Sequence, residues 1–110
     1  MSWIILIVAG LFEIAFAFCL GKARDAMGQE KIWWYIGFLV TLTISIGLLM
    51  KAIENLPIGT AYAVWTGIGA AGTAIVGILV FKEPATSLRL LFLTTLIASI
   101  VGLKAVTPAT

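Results

Sequence analysis

Four apolar runs, each close to the length that carries a helix across a bilayer, make up most of this chain: residues 3–20, 32–50, 60–81 and 88–106. A hydrocarbon layer about 30 Å thick needs roughly 20 helical residues to cross it. The runs therefore predict an all-α integral membrane protein of four transmembrane helices, one helical domain over residues 1–110. Composition points the same way. The chain is 62% hydrophobic and only 11% charged, whereas soluble domains carry about 25% charged residues. Five acidic and seven basic side chains cannot coat a soluble core, so lipid has to cover it.

The connectors carry the chemistry of membrane-surface turns. Residues 21–31 are polar and flanked by glycine, and Trp33, Trp34 and Tyr35 follow where an aromatic belt belongs. Residues 54–59 place Pro57 and Gly59 at a helix boundary, and residues 82–87 end in Ser87, a candidate N-cap for the fourth helix. All are too short for a further domain, and four crossings put both termini on one side. Met1, Ser2 and Trp3 lead into apolar residues without a basic leader, so the first segment reads as retained structure.

Several function classes fall away. The net charge of +2 is small and scattered, without the basic stripe that nucleic acid requires. There is no histidine, which removes the commonest general base and metal ligand, and no cofactor or metal site is expected. Cys19, the lone cysteine, reads as a small buried hydrophobe. The chain is not expected to be an enzyme.

Small residues mark where helices touch, since lipid gives apolar faces no reason to pair and close approach must come from Gly, Ala, Ser and Thr. The third segment carries Gly67, Gly69, Gly72, Thr73 and Gly77, with Gly67 and Gly69 marking a bend. In the fourth, Thr94, Ala98 and Gly102 recur every four residues. That stripe suits a partner helix, either within the chain or from a second copy. Four helices enclose little space, which favours a dimer.

One residue does not belong in an apolar segment. Glu13 lies about ten residues into the first helix, roughly 15 Å deep and close to the bilayer midplane. An acid at a helix centre costs about 2.5 to 3.5 kcal/mol even on lenient insertion scales, and such residues usually face a cavity and serve an ion or substrate pathway. Its helical neighbours are Ala9, Gly10, Phe16 and Ala17, three of them small. Lys51, Lys82, Arg89 and Lys104 fall near helix ends, where long side chains reach the interface. The missing counter-charge is then a substrate cation or a proton. Tyr62 and Trp65 could offer aromatic faces to a cation, or form an interfacial belt, while Thr41, Thr43 and Ser45 put hydroxyls near the middle of the second helix.

Taken together, residues 3–6 and 9–13, the run 56–70 (Leu-Pro-Ile-Gly-Thr-Ala-Tyr-Ala-Val-Trp-Thr-Gly-Ile-Gly-Ala) and the closing Gly102-Leu103-Lys104 resemble the small multidrug resistance family of bacterial proton-coupled exporters. The resemblance spans nearly the whole chain. It implies a multi-pass protein of the bacterial inner membrane, working as an antiparallel dimer, dual-topology or paired. Two copies of Glu13 would share one central site that binds protons and cations by mutual exclusion. It further implies that Tyr62 and Trp65 line that site, that Ser45 and Gly10 sit beside the carboxylate, and that Gly67 and Gly69 form the hinge of alternating access.

Thr60, Thr66, Gly69 and Ala70 look most like the guanidinium exporter branch, which implies guanidinium or substituted guanidinium as cargo. Two departures are visible. Phe16 stands where that branch usually has a tryptophan whose indole N–H helps hold the carboxylate, and the first loop is a few residues longer. Quaternary ammonium and other hydrophobic cations, or service as one half of a heterodimer, are the alternatives, with a non-transporting subunit or small ion channel as the reading from a different class. Lys22, Arg24, Lys31, Lys82 and Arg89 lie on one side and Lys51 and Lys104 on the other, five against two. That intermediate bias allows insertion in both orientations.

Overall fold

The computed structural model describes residues 1–107. It consists of α1 (Ser2–Asp25), α2 (Gln29–Ala52), α3 (Ile58–Leu79) and α4 (Ser87–Val106). All four are long and apolar enough to cross a membrane, and the protein is a multi-pass membrane protein.

The helices claim more of the connectors than the hydropathy pattern suggests. That pattern reads residues 21–31 as a loop, yet α1 runs on to Asp25 and α2 begins at Gln29. The reason is local. Lys22 and Arg24 occupy the last turn of α1 and Glu30 the first turn of α2, each on the favourable end of its helix dipole. The Lys22 ammonium also lies 5.6 Å from the ring centre of Phe18 and 5.9 Å from that of Phe81. Gly28, at φ 64, makes the turn itself.

At the start of α4 the cap is Thr86, not Ser87: the Thr86 side chain accepts from the Arg89 backbone N–H at 3.2 Å, and Ser87 is the first helical residue. Hydroxyl chemistry is the right signal, but the chain enters the helix one residue earlier.

Inter-helix pairs give the topology. Phe16 meets Phe38 and Phe18 meets Trp34, each edge to face, so α1 and α2 are antiparallel. Gly10 lies under Ile68, Glu13 against Gly69, Ile14 over Gly72 and Gly21 under Phe81, so α1 and α3 run parallel. The core sits at one end of these three helices, built on Leu6, Ala9, Ala52, Leu56, Ala61, Val64 and Trp65. Among the described elements the backbone of α4 packs on α3 alone, with Ile100 against Gly67 and the Lys104 ammonium 5.4 Å from the Trp3 ring centre.

Candidate functional site

Glu13 projects from the middle of α1 toward α3, and Gly69 is what admits it. A Cβ on residue 69 would collide with the Glu13 carboxyl group where it now lies, so the missing side chain leaves the space the acid occupies between the two helices. One turn on, Gly72 does the same for Ile14. Oε1 of Glu13 is buried without a hydrogen-bond partner among the described residues. No ion pair there includes Glu13 either.

The carboxyl group opens on a cleft of about 520 Å³. Phe16 and Ala17 of α1 form one wall, as their spacing from Glu13 suggests, and Thr66, Gly69, Ala70, Thr73 and Ala74 of α3 form the other. The α3 wall recurs at intervals of three and four residues, a stripe of small side chains on one helix face. That periodicity is present in the sequence; it emerges only when Thr66, Ala70 and Ala74 are read together with the glycines. The cleft also reaches Glu83 and Arg89, two residues that the hydropathy pattern assigns to the membrane surface.

The remaining candidate residues form a second cluster, toward the other end of α1. Ser45 is 0% exposed. Its hydroxyl donates to the Ala9 carbonyl at 2.7 Å and accepts from the Trp65 indole N–H at 2.9 Å, joining α1, α2 and α3 through one side chain. Thr41 and Thr43 instead spend their hydroxyls on carbonyls of their own helix. Tyr62 stacks at a tilt on Trp65, ring centres 5.7 Å apart, and is 56% exposed. Gly10 is buried beneath Ile68, whose side chain would meet any Cβ there at 2.7 Å.

Within this chain, then, Glu13, Phe16 and Gly69 share the cleft, whereas Ser45, Trp65 and Tyr62 stand together one turn away and do not line it. Gly67 is used by Ile100 of α4, which would come within 2.8 Å of an added Cβ. α3 runs as one unbroken helix through Gly67 and Gly69. Thr94, Ala98 and Gly102 are exposed, and among the described residues nothing lies within 4 Å of a Cβ placed on Gly102.

The family model described as Small Multidrug Resistance protein matches residues 1–96, which hold Glu13, its cleft and the whole of α3. The chain belongs to the small multidrug resistance family. It is 49% identical over 104 residues to a guanidinium exporter of Proteus vulgaris, covering 94% of this chain and 97% of that protein. It is 47% identical to a guanidinium exporter of Salmonella typhimurium and 46% identical to one of Citrobacter freundii, each over 94% of this chain and 96% of the relative. As a member of the small multidrug resistance family the protein is not an enzyme. The matched stretch ends before Ala98 and Gly102, so the second half of the α4 stripe lies outside it, although the full-length relatives extend over most of α4.

Proposed function

We propose that the protein exports small organic cations, guanidinium-type ions preferred, across the bacterial plasma membrane in exchange for protons. Its relatives include proteins named guanidinium exporter, and one observation carries the mechanism: a carboxyl oxygen at the middle of α1, buried with no partner among the described residues. An acid so placed gains from binding either a proton or a cation and has room for one at a time. Mutual exclusion then couples the two fluxes. A guanidinium ion brings planar N–H donors that match a carboxylate, which makes it a fitting replacement for the missing counter-charge.

The working unit in this reading is an antiparallel dimer in which two Glu13 side chains face one site. The exposed Tyr62, held in place through Trp65 and Ser45, and the open side of the cleft then meet a second protomer, and the Thr94, Ala98 and Gly102 stripe supplies the contact. Gly67 and Gly69 absorb the change of helix direction between inward-open and outward-open states. A second reading, export of bulkier hydrophobic cations, draws support from Phe16, which packs edge-on against Phe38 and offers the carboxylate no donor.

Proton flux driven by a cation gradient, measured on purified protein in liposomes, is the test, with guanidinium and a tetraalkylammonium run side by side. Glu13→Gln keeps the side-chain volume and removes the titrating charge, so coupled flux is expected to vanish while insertion and self-association persist. Coupled flux retained in that variant sinks the mechanism; flux with the tetraalkylammonium alone selects the second reading.

A further inference from the structure

The cleft at Glu13 continues along the small-residue face of α3 toward the connector into α4, where Glu83 and Arg89 complete its lining. A second cleft, about 540 Å³, lies on the other side of the same point and is rimmed by Arg24, Lys31 and Tyr35. The two share Ala17, Thr73 and Glu83. Glu83 thus stands where the central cleft meets the surface.

Glu83 is also seated, where an ordinary loop acid would swing freely. Lys82 takes the left-handed conformation at φ 58, which turns the chain so that the Glu83 N–H donates to the Gly77 carbonyl at 3.0 Å. The carboxyl group lies over Gly77, where a Cβ would come within 2.8 Å of its carbon. What this carboxylate holds is a guanidinium. One terminal nitrogen of Arg89 donates to Oε1 of Glu83 at 2.7 Å and the other to the Pro84 carbonyl at 3.1 Å. Both side chains stay partly open to solvent, 32% for Arg89 and 42% for Glu83, so a solute can compete for these acceptors.

We propose that the Glu83 carboxylate and the Pro84 carbonyl form an outer site for a planar guanidinium-type cation on its way to or from Glu13, and that Arg89 occupies it as a tethered competitor when no substrate is present. The chemistry is that of exchange between like groups: a free guanidinium ion makes the same two donations the arginine makes, whereas a tetraalkylammonium has no N–H and makes neither. The inference rests on the reading of the protein as an exporter of guanidinium-type cations, and it adds a second carboxylate with a distinct selectivity.

The test is a titration of the full chain in lipid nanodiscs, labelled with carbon-13 at the glutamate carboxyl carbons. Only four glutamates are present, Glu13, Glu30, Glu54 and Glu83, and Glu83→Gln assigns the signal of interest. Guanidinium chloride is expected to shift the Glu83 signal, while tetramethylammonium chloride at equal ionic strength leaves it in place. In Arg89→Gln the half-saturating guanidinium concentration should fall by about two- to fivefold, the range expected when a partly exposed ion pair no longer competes. Arg89→Lys, which keeps the charge and loses the planar fork, should fall in between. A Glu83 signal that ignores guanidinium in both proteins, or that responds equally to tetramethylammonium, overturns the outer site. The Glu13 signal reports separately on the central site: if it responds while Glu83 does not, the outer site fails and the exporter reading stands; if only Glu83 responds, the exporter reading fails and the Glu83 carboxylate binds guanidinium without serving a route to Glu13.

Discussion

At the scale of single residues, Ser45 shows how much of this protein's interior depends on one hydroxyl. It is the only buried side chain of α2 besides Ala52, and it satisfies both the Trp65 indole N–H and the Ala9 carbonyl. Ser45→Ala leaves the indole donor without its acceptor in a dry environment, a loss expected to cost about 1 to 3 kcal/mol. Thr43→Ala is the control, because Thr43 donates only to the Leu39 carbonyl of its own helix and is exposed. Equilibrium unfolding of the two variants in mixed micelles should separate them by about 1 kcal/mol or more, the cost of leaving one buried donor unpaired; equal stabilities would mean that water or lipid replaces Ser45 at no cost. Three hydroxyls near the middle of α2 are legible in the sequence. Which of them turns toward another helix is not, because that depends on where α1 and α3 lie around α2.

At the scale of elements, the ends of the helices are set by local chemistry. Thr86 stops the connector and opens α4 by accepting the Arg89 N–H, and the same backbone turn presents Arg89 to Glu83. Thr86→Ala is expected to destabilise the start of α4 by about 1 kcal/mol, read as faster amide exchange at residues 88–90. Ser87→Ala, one position further on and making no cap, should leave exchange unchanged. Faster exchange in the Ser87 variant instead would restore serine as the cap. The middle of α3 obeys a different logic. Gly67, Gly69 and Gly72 each sit beneath a side chain from a neighbouring helix, so in this conformation their absent side chains provide room, and any role as a hinge has to operate through the same positions.

At the scale of the whole molecule, α4 stands apart. Among the described residues it has none that is buried, and it meets the body of the protein through Leu93, Leu96, Ile100 and Leu103, the half-buried positions of one face. Thr94, Ala98 and Gly102 lie on another, exposed face. Packing among the described residues therefore makes no use of that stripe, and a second copy is its proposed occupant. Ala98→Leu and Gly102→Leu should each weaken self-association in bilayers, by roughly tenfold if one close helix contact worth about 1.4 kcal/mol is lost, with helix content unchanged. Dimer affinity equal to wild type would leave the stripe facing lipid and make the open side of the Glu13 cleft the interface.

Some of this protein needed nothing but its sequence. Four apolar runs of bilayer length leave a chain no soluble alternative, because the energy of exposing that much apolar surface scales with area and is indifferent to arrangement. An acid at mid-depth announces itself for a similar reason, since its cost rises with its depth in the hydrocarbon whatever the fold around it. Other features waited for the tertiary structure. The division of the expected site into a Glu13 cleft and a Ser45–Trp65 cluster, the seat that Gly77 makes for Glu83, and the guanidinium of Arg89 held at the mouth of the cleft are contacts between residues distant in the chain or turned toward one another by a single backbone angle. Hydropathy is a sum over residues and can be read in one dimension. A hydrogen bond needs a donor and an acceptor about 3 Å apart and properly aimed, and only the packing of α1 against α2 and α3 decides where those directions meet.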